Sequence, residues 1–348
     1  MSYFKPNIDA MAPYVPGAQV DAKSRVIKLN TNENAYPPSG QVAKALANFD
    51  TSPLRRYCDP MASNFAEIAA KINDVPAGWI LPGNGSDDLI VMISRACLGP
   101  GKRAVWPGPT FGFYFTQAII ESAECVEVPF GDNFALPTDD LIAADGAVTF
   151  VANPNSPSGT AATNDELARL AENLTGLLVI DEAYCDFAGT TAIKLAETYD
   201  NVIVLRTLSK GYALAGLRLG YAIANPGLIA GLVKTKAIYN VNSISAALGA
   251  AALADQDYKN ETAAKIIASR QELSRSLKEL GFSVLDSKAN FLLAGVPGGK
   301  AKQLADDLKA RSILVRYFEH PRICTSLRIT VGTENEIEEL IDALRELS

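Results

Sequence analysis

Val202-Ile203-Val204-Leu205-Arg206-Thr207-Leu208-Ser209-Lys210-Gly211 is the stretch on which the reading of this chain turns. Its leading residues are β-branched or large and apolar, as in a strand buried on both faces, and they empty into a loop of small and hydroxyl-bearing residues that ends on a lysine. Working outward, similar apolar runs recur at 103–106, 125–129, 147–152, 177–181 and 217–224, with 202–206 among them. Between them, 87–97 and 166–174 have helical patterns, the second opened by Thr163 with Glu166 in the capping-box position. Strands alternating with helices predict an α/β fold with a mostly parallel sheet, whose loops at the strand ends hold the chemistry.

The remainder changes character. Residues 258–280 form a long helical pattern in which Ile266, Leu273, Leu277 and Leu280 share one face and Gly281 stops it. Strands near 283–285 and 290–293, a helix at about 300–311, strands at 313–317 and 327–331 and a closing helix capped by Thr333 and Glu336 then predict a smaller α+β domain. Residues 1–35, rich in Pro, Asn and Tyr, have neither helical nor strand period and read as an N-terminal arm packing with the small domain. The expected division is therefore 1–35, a large domain over 36–250, and a small domain over 251–348 that begins with the linking helix.

A chain of 348 residues is long enough for about two domains and a buried site. Hydrophobic residues make up 48% and charged residues 20%, and the longest apolar runs fall far short of a membrane span. Met1-Ser2-Tyr3-Phe4-Lys5-Pro6 lacks the apolar core of a signal peptide, so the cytoplasm is the expected location. A net charge of −7 argues against nucleic acid as a partner. The 5 cysteines are widely spaced and never form a C-x-x-C pair, which suggests neither a disulfide framework nor a zinc site. With His320 as the single histidine, a two-histidine metal site is impossible, and no metal is expected. Its surroundings read as a loop, placing it in solvent or at a substrate rim.

Several motifs have both a functional and a structural reading. The turn Leu81-Pro82-Gly83-Asn84-Gly85-Ser86-Asp87-Asp88 precedes a helix and presents backbone N–H groups that suit a phosphate, or simply cap the helix. Asp181 ends an apolar run and opens Asp181-Glu182-Ala183-Tyr184; a carboxylate there either caps, joins a structural ion pair or meets a cationic ligand such as a protonated pyridine nitrogen. Asn153-Pro154-Asn155-Ser156-Pro157-Ser158-Gly159-Thr160 is a rigid turn, with cis peptides among its options. Phe111 suits stacking on a flat ring as well as the core. Thr207, Ser209, Lys210 and Arg218 bring hydroxyls, an amine and a guanidinium together, as an aldehyde that carries a phosphate requires. Arg55-Arg56-Tyr57 is a solvated pair or an interface, and Arg316 and Arg328 are salt-bridge partners or a bidentate anion site.

Taken as an ordered set, these residues resemble the fold type I pyridoxal-phosphate aminotransferases, and among them the histidinol-phosphate aminotransferases. The resemblance spans nearly the whole chain and also draws on Leu29-Asn30-Thr31-Asn32-Glu33-Asn34 and Leu327-Arg328-Ile329-Thr330-Val331-Gly332-Thr333. It implies pyridoxal 5'-phosphate as cofactor, with Lys210 as the Schiff-base lysine, Asp181 on the pyridinium nitrogen, Tyr184 on the ring hydroxyl and Phe111 on the ring face. Thr207, Ser209, Arg218, the Gly85-Ser86-Asp87 turn and Tyr57 from a partner subunit of a homodimer would hold the phosphate. Tyr14, Arg316 and Arg328 would bind substrate. Where the family often has a second asparagine in the Asn-Asn-Pro-Thr-Gly motif, this chain has Ser156; the ring-hydroxyl contact is expected from Asn155, with Ser156 as a shorter substitute. The implied reaction is transamination of L-histidinol phosphate with 2-oxoglutarate in histidine biosynthesis. An aromatic amino acid donor, a phosphothreonine-type decarboxylation and a non-enzymatic regulator are the rival readings.

Overall fold

The computed structural model describes residues 2–13, 17–19 and 25–347. Its strands are β1 (Ile27–Leu29), β2 (Ile80–Gly83), β3 (Arg103–Gly108), β4 (Glu124–Pro129), β5 (Val148–Ala152), β6 (Leu177–Asp181), β7 (Val202–Thr207), β8 (Gly220–Ile223), β9 (Ser283–Val284), β10 (Phe291–Gly295), β11 (Ile313–Tyr317) and β12 (Ser326–Thr330). The large domain is built on a seven-stranded sheet in the order β2-β8-β7-β6-β5-β3-β4. Only β8 runs against its neighbours.

The continuous apolar runs are explained by burial on both faces. Along β6 and β7, Leu178, Ile180, Val202 and Val204 join one apolar cluster. Their alternates Val179, Ile203 and Leu205 join a second cluster on the opposite face. Neither face meets water, so no polar alternation survives in the sequence. β2 was not among the strands expected. It is short, fully buried and contains Pro82, which is tolerated because β2 lies at the sheet edge. The run expected over 217–224 is shorter as a strand, because Arg218 adopts left-handed backbone geometry at φ 54° ahead of β8.

The small domain is a five-stranded sheet ordered β1-β11-β12-β10-β9, backed by the helices Gln256–Glu279, Ala301–Ala310 and Glu334–Leu347. Ile266, Leu273 and Leu277 of the long helix are fully buried against it, and Gly281 just beyond has φ 83°. Both capping boxes form: Thr163 Oγ1 accepts from Glu166 N, and Thr333 Oγ1 from Glu336 N.

Two features lie outside what the sequence pattern shows. The N-terminal region contains β1, which pairs in parallel with β11, and a short helix, Pro6–Ala10. A three-residue strand is too short to show a period, and its conformation comes from the open edge of β11. Asn7 Nδ2 donates to Ile119 O at 2.6 Å, so the N-terminal region also touches the large domain. Residue 250 falls inside the helix Ser243–Ala254, whose Leu248, Ala252 and Leu253 pack in the large-domain core.

Candidate active site

β6 and β7 are parallel neighbours, with Asp181 opposite Leu205 in register, so the loops that follow them emerge side by side. A cavity of about 210 Å³ opens there. Lys210, Asp181, Tyr184, Thr207, Ser209, Arg218, Ser86, Asp87 and Phe111 all line it. Residues from five separate segments thus meet where strand ends make ligand sites in open α/β sheets.

Lys210 Nζ donates to Thr31 O at 3.1 Å and sits 5.7 Å from the centre of the Tyr184 ring. The Tyr184 hydroxyl accepts from Asn32 Nδ2 at 3.0 Å, and its ring meets Phe291 edge-on. Asp181 is almost wholly buried. Its Oδ2 accepts from the Tyr114 hydroxyl at 2.8 Å and its Oδ1 from Ala183 N at 3.1 Å. Burial pushes its carboxyl up to about 6, with Asp87 and Glu182 adding to the shift and the two hydrogen bonds opposing it.

Opposite Asp181, the helix Ser86–Cys97 begins at Gly85, which has φ 88°. A Cβ on Gly85 would lie 2.6 Å from Arg218 Nη2, so glycine serves both the backbone angle and the approach of the guanidinium. Arg218 donates to Asp87 Oδ2 at 2.9 Å and to Ser209 Oγ at 3.3 Å. Ser86 and Asp87 contribute N–H groups in a first helical turn, where no intrahelical acceptor exists. Guanidinium, hydroxyls and helix start form an anion cradle.

Asn155 does not line the cavity. Its amide donates to Pro109 O and Ser158 Oγ and accepts from Thr110, which holds the turn together, whereas Ser156 lines the cavity. The Asn153–Pro154 and Ser156–Pro157 bonds within the turn are cis. Ser156 Oγ also accepts from Arg328 Nη1 at 3.0 Å, while Arg328 Nη2 donates to Asn30 O. Arg316 stands opposite Arg328 across β11 and β12, and both guanidinium groups lie over the Phe318 ring. These arginines flank the cavity rather than line it. Tyr57 is 83% exposed and stacks on Tyr239, away from the cavity of its own chain. Tyr14 lies outside the described residues. His320 lies 3.6 Å from Glu127 and does not line the cavity.

Comparison with known proteins decides what the constellation belongs to. The family model for aminotransferase class I and II matches residues 24–344. The chain belongs to the class I and II aminotransferases. This aminotransferase is 50% identical to histidinol-phosphate aminotransferase 1 of Trichormus variabilis over 99% of both chains. It is 41% identical to histidinol-phosphate aminotransferase of Citrifermentans bemidjiense over 100% of its own length and 99% of that relative. Its fold matches the crystal structure of histidinol-phosphate aminotransferase from Sinorhizobium meliloti in complex with pyridoxal-5'-phosphate, with a TM-score of 0.91, 27% identity and 100% and 99% coverage.

Pyridoxal 5'-phosphate is the cofactor of this aminotransferase, and its substrates are small molecules. The residues present fit that group. An acid buried to this degree needs a cationic partner such as a ring nitrogen, and the Gly85–Arg218 cradle suits a phosphate. Sequence reasoning missed Tyr114 and the inward placement of Thr31 and Glu33. Glu33 is raised by burial, but hydrogen bonds from Lys28 and Thr31 and the charges of Lys28 and Lys210 outweigh this and hold it below the ordinary carboxylate range. The segment 29–34 carried the only available signal, since nothing in its pattern shows that β1 delivers it to the cavity rim. No helix among the described residues is long and apolar enough to cross a membrane.

Proposed function

We propose that this aminotransferase transfers the amino group of L-histidinol phosphate to 2-oxoglutarate in histidine biosynthesis. The names of relatives at up to 50% identity across the whole chain support the substrate. The observation that carries the chemistry is the meeting of Lys210 Nζ, the buried Asp181 and the Arg218 cradle in one cavity. Asp181 would pair with the ring nitrogen, Tyr184 and Ser156 with the ring hydroxyl and Phe111 with the ring face. Thr207, Ser209, Arg218 and the N–H groups of Ser86 and Asp87 would hold the phosphate, whereas the Gly85 N–H, expected to join them, donates to Gly83 O and shapes the turn instead. When bound, the cofactor supplies an aldehyde that takes up the amino group and a ring that draws off carbanion charge. Lys210 Nζ would act as the base that removes the donor α-proton and, run in reverse in the second half-reaction, as the acid that protonates the acceptor α-carbon, a contribution of about 10²–10⁴-fold. Arg316 and Arg328, with Tyr14, bind the anionic end of the donor, and Arg328 is anchored to do so by Asn30 and Ser156.

The same reading places the protein in the cytoplasm as a homodimer in which Tyr57 reaches the phosphate in the second copy. Its exposed ring, stacked on the exposed Tyr239 beside Ile238, supports that placement. For the domain division we propose the arm at 1–35 and the second boundary at Asp255, which caps the helix Gln256–Glu279, rather than at 250/251. Half-reactions test the substrate: histidinol phosphate alone should bleach the visible absorbance of the lysine-bound cofactor. If phenylalanine bleached it and histidinol phosphate left it unchanged, the donor would be an aromatic amino acid instead.

A further inference from the structure

Tyr114 belongs to none of the motifs above and is fully buried on the helix Phe113–Ile120. Its ring stacks on Phe150 at 4.7 Å and 8°, and meets Phe111 edge-on at 5.6 Å and 86°. Held between two rings, its hydroxyl cannot swing, and it points at Asp181 Oδ2. A buried tyrosine hydroxyl seeks some acceptor in any protein. Here the acceptor is the carboxylate that lines the cofactor cavity, and the clamp is the aromatic residue that lines it from another side.

We propose that Tyr114 is a positioning residue for the cofactor, its hydroxyl holding Asp181 ionised and oriented for the ring nitrogen while its ring braces Phe111 for the ring face. The proposal rests on the assignment of Asp181 to the ring nitrogen given above. The surroundings of Asp181 make a dedicated donor necessary. Asp87 on the helix Ser86–Cys97 and Glu182 on its own strand end both disfavour a second negative charge. The nearby arginines are paired with other carboxylates, Arg218 with Asp87 and Arg206 with Glu182, and Lys210 Nζ donates to Thr31 O rather than to Asp181. The Tyr184 hydroxyl, also at this strand end, accepts from Asn32. Among the described residues, Tyr114 and the Ala183 N–H are the hydrogen-bond donors to Asp181, and both favour the charged carboxylate. The Tyr114 phenol is itself raised well above its ordinary value by burial and by the charge of Asp181, so it remains a donor throughout the working pH range.

Tyr114→Phe keeps the ring and removes the bond. In holoenzyme loaded with pyridoxal phosphate labelled with ¹⁵N at the ring nitrogen, the ¹⁵N shift reports ring protonation independently of turnover. Loss of a hydrogen bond to a charged group predicts about tenfold weaker cofactor binding and a ring-nitrogen midpoint lower by about one pH unit. Wild-type affinity and midpoint in Tyr114→Phe, with both altered in Asp181→Asn, would overturn this proposal alone. Both variants behaving as wild type would overturn the assignment of Asp181 as well. Should Tyr114→Phe fail to fold, replacing tyrosine by 3-fluorotyrosine strengthens the donor and should raise the midpoint, and an unmoved midpoint overturns the proposal.

Discussion

Arg206 Nε lies 2.8 Å from Glu182 Oε2, a buried ion pair that ties the ends of β7 and β6 together beside Lys210 and Asp181. Glu182 also accepts from Thr191 Oγ1 and Ala192 N, so its charge is fully engaged. Burial raises its carboxyl, and the Arg206 charge leads the opposing effects. Arg206→Met leaves that charge buried without its cation and should cost about 3 kcal/mol in urea denaturation. Glu182→Gln in the same chain should recover most of the loss. A loss below about 1 kcal/mol would mean the pair is solvated in solution.

Lys210→Ala removes the amine and leaves the anion cradle and Asp181 in place. The variant should fold with an unchanged circular dichroism spectrum, bind pyridoxal phosphate without the visible band of the lysine-bound form, and lose at least about 10²–10⁴-fold in turnover. Turnover near the wild-type rate would remove Lys210 from the chemistry.

Asp181 sets function against stability. Its folded-state value of about 6 is above the ordinary 3.8, so in the cofactor-free protein folding penalises the charged carboxylate even though it is the main form at pH 7.5. The contribution of this group to stability is present below the unfolded value and is lost as pH rises through about 6. Asp181→Asn should therefore melt higher than the wild type at pH 7.5 when both lack cofactor, by up to about 3 kcal/mol. The gain should vanish when both are measured near pH 4. With cofactor present the order should reverse, because the asparagine offers the ring nitrogen no charge. A cofactor-free variant less stable at pH 7.5 would contradict this account.

Arg328 spans Ser156 Oγ and Asn30 O through separate guanidinium nitrogens. Lysine has no such fork. Arg328→Lys should raise the Michaelis constant for the donor by about ten- to a hundredfold while lowering kcat much less. An equal fall in kcat with an unchanged Michaelis constant would place Arg328 in the chemical step instead.

The alternation of apolar runs and helical patterns made the large sheet legible, because strands buried on both faces have no choice but to be continuously apolar. The face shared by Ile266, Leu273 and Leu277 made the long helix legible in the same way. β1 and β2 were not, since three or four residues have no period and take their conformation from the edges they join. Within the site, Lys210, Asp181, Ser209 and Arg218 stood out because charged and hydroxyl residues at apolar strand ends are chemically conspicuous. Tyr114 did not, because a tyrosine among core aromatics looks the same in sequence whatever its hydroxyl touches.

By itself the sequence determined the architecture and the residue types that gather around the cavity, since both follow from local pattern and from order along the chain. Only the tertiary structure decided which of Asn155 and Ser156 faces the cavity, that Tyr114 reaches Asp181, and that Thr31 and Glu33 reach the cavity rim. Those contacts depend on chain direction and on the crossing of segments far apart in the chain, and no local pattern records either.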